Sequence, residues 1–132
     1  MNLTALINMP TPLIGVPFKY GGRGPEFYDC YGLVMELYRR LFQTELPDYQ
    51  SPTCAADIVA LMRGELRLWR PVEVPKLGTV MFMRLGEFTH VAMYLGDNRF
   101  IHTCEATGGV CIERMSNWFN RIEKYIEYAP IK

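Results

Sequence analysis

From Leu33 onward, apolar residues recur at Leu33, Val34, Leu37, Tyr38 and Leu41, the spacing of one buried helix face. Asp29 stands just ahead of this pattern, and Asp is a preferred N-cap because its carboxylate accepts the free N–H groups of the first turn. The spacing therefore predicts a helix from Asp29 to about Phe42. Leu46-Pro47-Asp48-Tyr49 ends that unit, since the residue before a proline avoids helical backbone. Ser51-Pro52 then reads as the N-cap and first residue of a second helix running to about Arg63. Its apolar side is Ala55, Ile58, Val59 and Met62, and Gly64 is its stop.

After Trp69 the pattern changes to short runs rich in β-branched and aromatic residues: Val80 to Leu85, Val91 to Leu95, Phe100 to Thr103, Val110 to Glu113 and Lys124 to Tyr128. Gly86, Gly96-Asp97-Asn98 and Thr107-Gly108-Gly109 supply turn signals between most of them. Hairpin-length connections imply an antiparallel sheet, and Ser116 to Arg121 is expected to be a short helix or turn. Residues 1–28 are rich in Gly and Pro and are expected to be mostly loop, with one short helix before Gly15. Helices first and then a meander of strands is an α+β layout. The expectation is one domain over residues 1–132: the loop and short helix to residue 28, helices over 29–64, and the antiparallel sheet over 69–128.

Composition narrows the function classes. The chain of 132 residues is 49% hydrophobic and 21% charged, a globular balance. Fourteen basic and fourteen acidic side chains give a formal net charge of zero, with no block of like charge, so neither nucleic acid nor a polybasic membrane surface is expected as a partner. The first twelve residues carry no Lys or Arg and are interrupted by Asn8, Pro10 and Pro12, unlike a secretory signal. No apolar run approaches the roughly 20 residues of a membrane span. Membrane insertion is therefore not expected, and the chain is expected to be made in the cytoplasm.

The cysteines are Cys30, Cys54, Cys104 and Cys111. With a core of adequate size and no secretory signal, their even number is weak support for disulfides. There is no Cys-x-x-Cys pair, and the Cys104 to Cys111 and His90 to His102 spacings fit no common zinc finger, so no metal or other cofactor is expected. Cys54, with no partner pattern around it, reads as structural.

Cys30 is different. With Asp29 as N-cap it becomes the first helical residue, where the positive end of the helix favours thiolate over thiol. The competing reading is a small buried hydrophobe. A Cys nucleophile needs a base, itself oriented by a third polar group. The only two histidines, His90 and His102, fall on adjacent expected strands and are candidates for base and orienter; taken singly, each is more often structural, one in the core donating to a backbone carbonyl and one at the surface. The pairing imposes a condition. With a two-residue turn at Asp97-Asn98, residue 102 pairs with residue 93 and the histidines face opposite ways. With an odd loop or a bulge, residue 102 pairs with residue 92 and they share a face.

Four segments then resemble the NlpC-type cell-wall cysteine peptidases, a papain-like family, over about Gly15 to Thr103. Gly15-Val16-Pro17-Phe18-Lys19-Tyr20-Gly21-Gly22 is similar to that family's Pro-Tyr-x-x-Gly-Gly loop, and Asp29-Cys30-Tyr31-Gly32-Leu33-Val34 to its Asp-Cys-Ser-Gly-Leu-Val helix. His90-Val91-Ala92-Met93-Tyr94-Leu95-Gly96 resembles its His-Val-x-x-Tyr-x-Gly strand, and Phe100-Ile101-His102 its second histidine strand. The resemblance implies N-terminal helices carrying the Cys, packed on an antiparallel sheet carrying the two His. It also implies hydrolysis of peptidoglycan stem peptides, typically between D-glutamate, through its γ-carboxyl, and a diamino acid. Cys30 would be the nucleophile, with its N–H a candidate oxyanion donor, His90 the base and His102 the orienter. Phe18, Tyr20, Asp29 and Tyr31 are the candidates for substrate contact. Phe18 stands where the family has a Tyr, Tyr31 where it has a small residue, and Leu77-Gly78-Thr79 where it has Pro-Gly-Asp. The aromatic at position 31, with Leu46-Pro47-Asp48-Tyr49 downstream, is similar to members encoded in phage tail operons and prophages. That similarity implies phage tail proteins as further partners and action at the cell wall; a tail-tip component that binds glycopeptide with little hydrolysis is the alternative.

Overall fold

A computed structural model describes residues 13–49, 55–65, 67–85 and 88–129. Helix α1 (Cys30–Phe42) begins where the spacing places it. The Asp29 Oδ1 accepts from the Gly32 N–H at 2.6 Å, and Gln43 closes the helix in a left-handed conformation, its N–H donating to the Arg39 carbonyl. Helix α2 (Ala55–Arg63) follows. Its expected start at Ser51-Pro52, Cys54 and the short helix expected before Gly15 lie outside the described residues.

Six strands form one antiparallel sheet: β1 (Trp69–Val72), β2 (Val80–Leu85), β3 (Phe88–Gly96), β4 (Arg99–His102), β5 (Cys111–Arg114) and β6 (Ile122–Tyr128). Their spatial order is β1-β6-β2-β3-β4-β5. Strands β2 to β5 are the expected meander. Strand β6 departs from it by crossing back to lie between β1 and β2, reached through two short 3-10 turns, Met115–Asn117 and Phe119–Arg121.

Alternation along the strands divides the buried residues between two faces. Val80, Phe82, Val91, Met93, Ile101 and Ile126 face the helices, where they pack with Leu33, Val34, Leu37, Ile58 and Met62. Met81, Met83, Ala92 and Phe100 face the other way, under Met115, Trp118, Ile122 and Tyr125. The 3-10 segment thus covers the side of the sheet that the helices leave open, and a polar group placed there is buried as well. The fold is α+β, a helical layer on a six-stranded antiparallel sheet.

The segment ahead of α1 is tied to both layers. Val110 N–H donates to the Val16 carbonyl (2.9 Å) and Phe18 N–H to the Gly108 carbonyl (3.1 Å), joining it to the β4–β5 connection. The Asp29 N–H donates to the Gly22 carbonyl (3.0 Å). That carbonyl approaches Gly32 so closely that a Cβ there would lie 2.1 Å from its oxygen. Only glycine at position 32 permits the loop to lie on the first turn of α1.

Candidate active site

The first turn of α1 presents Cys30. Asp29 caps the Gly32 N–H, and the N–H groups of Cys30 and Tyr31 are turned toward the sulfur, together with the N–H of Val91 on β3. The thiol therefore rests against the peptide unit that joins His90 to Val91. Those three donors favour thiolate, but burial and the neighbouring Asp29 carboxylate outweigh them and push the Cys30 thiol up to about 12.

The condition on the two histidines is met by a bulge. Asp97 and Asn98 form a two-residue turn with both φ angles positive, 51° and 61°, the signature of a type I′ hairpin. The register then slips between Tyr94 and Gly96, with Gly96 opposite Arg99, Tyr94 opposite Phe100 and Met93 opposite Ile101. Leu95 is the extra residue, and the slip places His102 across from Ala92. His90 and His102 consequently share a face: His90 Nε2 lies 2.8 Å from His102 Nδ1. Both rings are buried, His102 completely. Burial and the neighbouring His102 lower His90 to about 3. Burial also lowers His102, against the opposing pull of Glu113. Both rings are neutral imidazoles at neutral pH.

Glu113, which no motif in the sequence marked, extends the pair. Its Oε2 lies 2.5 Å from His102 Nε2. The β4–β5 register sets His102 opposite Cys111 and Phe100 opposite Glu113, so all four share one face and Glu113 reaches His102 diagonally. The polar alternation Cys111, Glu113 in the fourth expected strand was the available signal. The ring of His102 packs against Phe100 (centroids 4.8 Å apart) and Trp118 (5.9 Å), which also touch each other (5.8 Å).

The ligand atoms of His102, Cys111 and Glu113 lie within 4.8 Å of one another, close enough for the three to be tested as a cation site. Two donors on a tetrahedral zinc at about 2.0–2.1 Å stand roughly 3.3 Å apart. The 2.5 Å separation of Nε2 and Oε2 is instead that of a charge-assisted hydrogen bond. The three described cysteines, Cys30, Cys104 and Cys111, are free thiols.

Of the four candidates for substrate contact, two are interior. Tyr31 is fully buried, and its hydroxyl donates to the Pro47 carbonyl at 2.6 Å. Asp29 is also buried; besides Gly32 it accepts from the Gly21 N–H (3.2 Å) and pairs with Arg23 at 2.7 Å. Neither presents a group to a ligand, because burial of these polar groups is matched by partners within the protein. Phe18 and Tyr20 remain near the surface, packed edge-to-face with centroids 4.9 Å apart. The Tyr20 hydroxyl donates to Glu105 at 3.0 Å, and its phenol is raised by that bond, by burial and by the Glu105 charge. Tyr20 also borders an open hollow of about 280 Å³ framed by residues 19 to 27.

The order of motifs and the fold match one family over nearly the whole described chain: residues 15–126 match the NlpC/P60 family model. The chain belongs to the NlpC/P60 family. It is 30% identical over 105 residues to the Escherichia coli K12 protein named murein DD-endopeptidase MepS/murein LD-carboxypeptidase, covering 77% of this chain and 49% of that protein. It is 25% identical over 119 residues to the probable peptidoglycan endopeptidase LytE of Bacillus subtilis 168, covering 89% of this chain and 31% of that one. The chain thus spans half or less of the length of these relatives. The crystal structure of the NlpC/p60 domain of peptidoglycan hydrolase SagA superposes with a TM-score of 0.59 at 21% identity, over 86% of this chain and 88% of that domain, a likeness of fold. No helix among the described residues is long and apolar enough to cross a membrane.

Proposed function

We propose that this NlpC/P60 chain is a cysteine peptidase acting on peptidoglycan, with Cys30 as nucleophile, His90 as general base and His102 as the group that orients His90. The observation that carries this reading is the placement of the Cys30 sulfur against the Val91 N–H, one peptide unit from a histidine whose far nitrogen is held by a second histidine. With the thiol raised and His90 lowered, the resting pair is neutral. Attack on a carbonyl carbon then proceeds with transfer of the thiol proton to His90 Nδ1, and the imidazolium returns that proton to the leaving amine. The Cys30 N–H at the helix start, which the Asp29 cap does not take up, is the donor for the developing oxyanion. Phe18 and Tyr20, packed edge-to-face near the surface, are the remaining candidates for substrate contact.

For the bond cut, the motifs favour the link between the γ-carboxyl of D-glutamate and a diamino acid, and the pairing of Tyr31 with Leu46-Pro47-Asp48-Tyr49 favours a phage tail or prophage setting with action at the cell wall. A second reading, a tail-tip component binding glycopeptide with little hydrolysis, draws on one observation: a thiol pushed up to about 12 is poorly ionised before substrate arrives.

Cys30→Ala is expected to abolish release of new amino groups from purified peptidoglycan while leaving the circular dichroism spectrum unchanged. Wild-type protein that releases no more than the variant would overturn the hydrolytic reading in favour of the binding one. Mass spectrometry of the released muropeptides identifies the bond. A free D-glutamate γ-carboxyl supports the proposed cut, whereas opened D,D cross-links would replace it.

A further inference from the structure

We propose that Glu113 is a positioning residue that fixes the tautomers of His102 and His90, so that His90 offers a lone pair at Nδ1 toward Cys30. The proposal rests on the reading of Cys30 and His90 as nucleophile and base, and it assigns a role to a residue outside that triad.

Hydrogen-bond polarity fixes the order of the chain. A glutamate carboxylate is an acceptor only. At 2.5 Å from His102 Nε2, it requires the hydrogen of that ring to be on Nε2. A neutral imidazole carries one N–H, so His102 Nδ1 is an acceptor. Facing it at 2.8 Å is His90 Nε2, which must then be the donor. The one hydrogen of His90 is thereby committed to Nε2, and its Nδ1 keeps the lone pair that a base needs. A proton-accepting site is thus specified two hydrogen bonds away from the carboxylate that specifies it. With no acceptor at position 113, either nitrogen of His102 is free to hold the hydrogen. Half of the possible arrangements would then place N–H on His90 Nδ1, where it cannot accept a proton from the thiol.

The surroundings suit a fixed chain. Burial keeps both rings neutral, a requirement because a doubly protonated His102 would donate from Nδ1 and reverse the order. Phe100 and Trp118 pack against the His102 ring. Glu113 itself lies on the edge strand β5, with its side chain about a third exposed (33%), so replacing it is compatible with folding. Cys111 Sγ, at 3.9 Å from the same Oε2, is a weak additional donor that leaves the carboxylate an acceptor.

The test reads the tautomers directly, by nitrogen-15 NMR of the two imidazoles at neutral pH in wild type, Glu113→Gln and Glu113→Ala. Turnover on peptidoglycan is measured alongside. Wild type should show hydrogen on Nε2 and a bare Nδ1 in both rings. Glu113→Gln should keep that pattern, since its amide oxygen still accepts, and keep turnover within about threefold of wild type. Glu113→Ala should show mixed tautomers at His90 and a fall in kcat of about 10- to 100-fold with KM unchanged, the size of loss known for removing the hydrogen-bond partner of a metal-ligating histidine. Hydrogen on His90 Nδ1 in wild type, or unchanged tautomers in Glu113→Ala, would overturn the proposal even if turnover falls. If wild type hydrolyses nothing, the peptidase reading fails, but the spectra still decide the role of Glu113.

Discussion

The Arg23–Asp29 cluster and the His90–His102–Glu113 chain both bring ionisable groups into the interior beside Cys30, and they do so in opposite ways. Asp29 accepts from the Gly21 and Gly32 N–H groups and pairs with Arg23. Arg23 in turn bonds Asp48 at 2.8 Å, the Tyr49 carbonyl at 2.6 Å and the Gly22 carbonyl at 3.0 Å. Apart from the exposed Asp48 contact these bonds run inward, and the cluster clamps the loop, the helix start and the 46–49 segment together. The histidine chain instead keeps its rings neutral and uses one nitrogen of His90, leaving the other for the proton transfer proposed above. A charge held by matched partners is suited to fixing a shape; a neutral ring with one nitrogen uncommitted is suited to moving a proton.

The two largest predicted effects set these regions against each other. His90→Ala should lower turnover by about 10²- to 10⁴-fold, the usual weight of a general base. Arg23→Ala should act on stability, by up to about 3–5 kcal/mol, because it leaves Asp29 buried without its cation. Its folded fraction should turn over within tenfold of wild type. Denaturant titration and peptidoglycan release, measured on both variants, separate the two. Equal losses on both readouts from either variant would erase the distinction.

Gly32→Ala comes next. The added Cβ would stand 2.1 Å from the Gly22 carbonyl oxygen, backbone against backbone, and should cost about 1–3 kcal/mol or more as the loop is forced off the helix. A stability within 0.5 kcal/mol of wild type would show that the loop yields easily and is no clamp.

These two regions also differ in how far the sequence revealed them. The cap was legible, because an Asp ahead of an amphipathic run is a local signal and its partner, the Gly32 N–H, is three residues away. The histidine pairing was legible only as a condition. Whether Asp97-Asn98 came with a bulge depends on how Leu95 packs, which local pattern does not determine. Glu113 was missed because its contact is diagonal, between strands whose register the eight residues from 103 to 110 do not reveal. The same limit explains β6: its strand character is local, but its place between β1 and β2 is set by which apolar faces fit. Strand β1 carries Pro71, a residue tolerated at a sheet edge, which weakened its strand signal. Tyr31 and Leu46-Pro47-Asp48-Tyr49 were read as two features of one variant. The structure gives them a shared cause, since the Tyr31 hydroxyl bonds Pro47 and its ring packs on Tyr49, with centroids 5.4 Å apart.

The pH dependence of stability sharpens the comparison further. His90 is depressed from 6.5 to about 3 by burial and by His102, so the unfolded chain takes up a proton that the folded chain refuses. Stability present above about pH 6.5 should be lost as the pH falls toward 3. Cys30 is raised from 9.0 to about 12 by burial and by Asp29, so stability present below about pH 9 should be lost as the pH rises toward 12. Each limb should slope by at most about 1.4 kcal/mol per pH unit for a single group. Denaturant titrations at pH 5, 7.5 and 10 should show the acid limb flattened in His90→Ala and the alkaline limb flattened in Cys30→Ala. Limbs that persist in those variants would assign the dependence to other groups.

The smallest expected effect is at Tyr20, which belongs to neither network. It lies two residues from Phe18, the position at which the motif resemblance implies a Tyr, and so it is a candidate to supply that hydroxyl. Its O–H is committed to Glu105 across an exposed contact, and an exposed hydrogen bond of this kind contributes below about 1 kcal/mol. Tyr20→Phe should therefore leave stability nearly unchanged and lower kcat by no more than about threefold, an effect under 1 kcal/mol on the barrier. The comparison with Glu105→Ala is decisive. If the phenol only anchors the loop, the two variants should match. If Tyr20→Phe alone lowers kcat a hundredfold, the hydroxyl leaves Glu105 during the reaction and serves the substrate, and the donor at the helix start does not act alone.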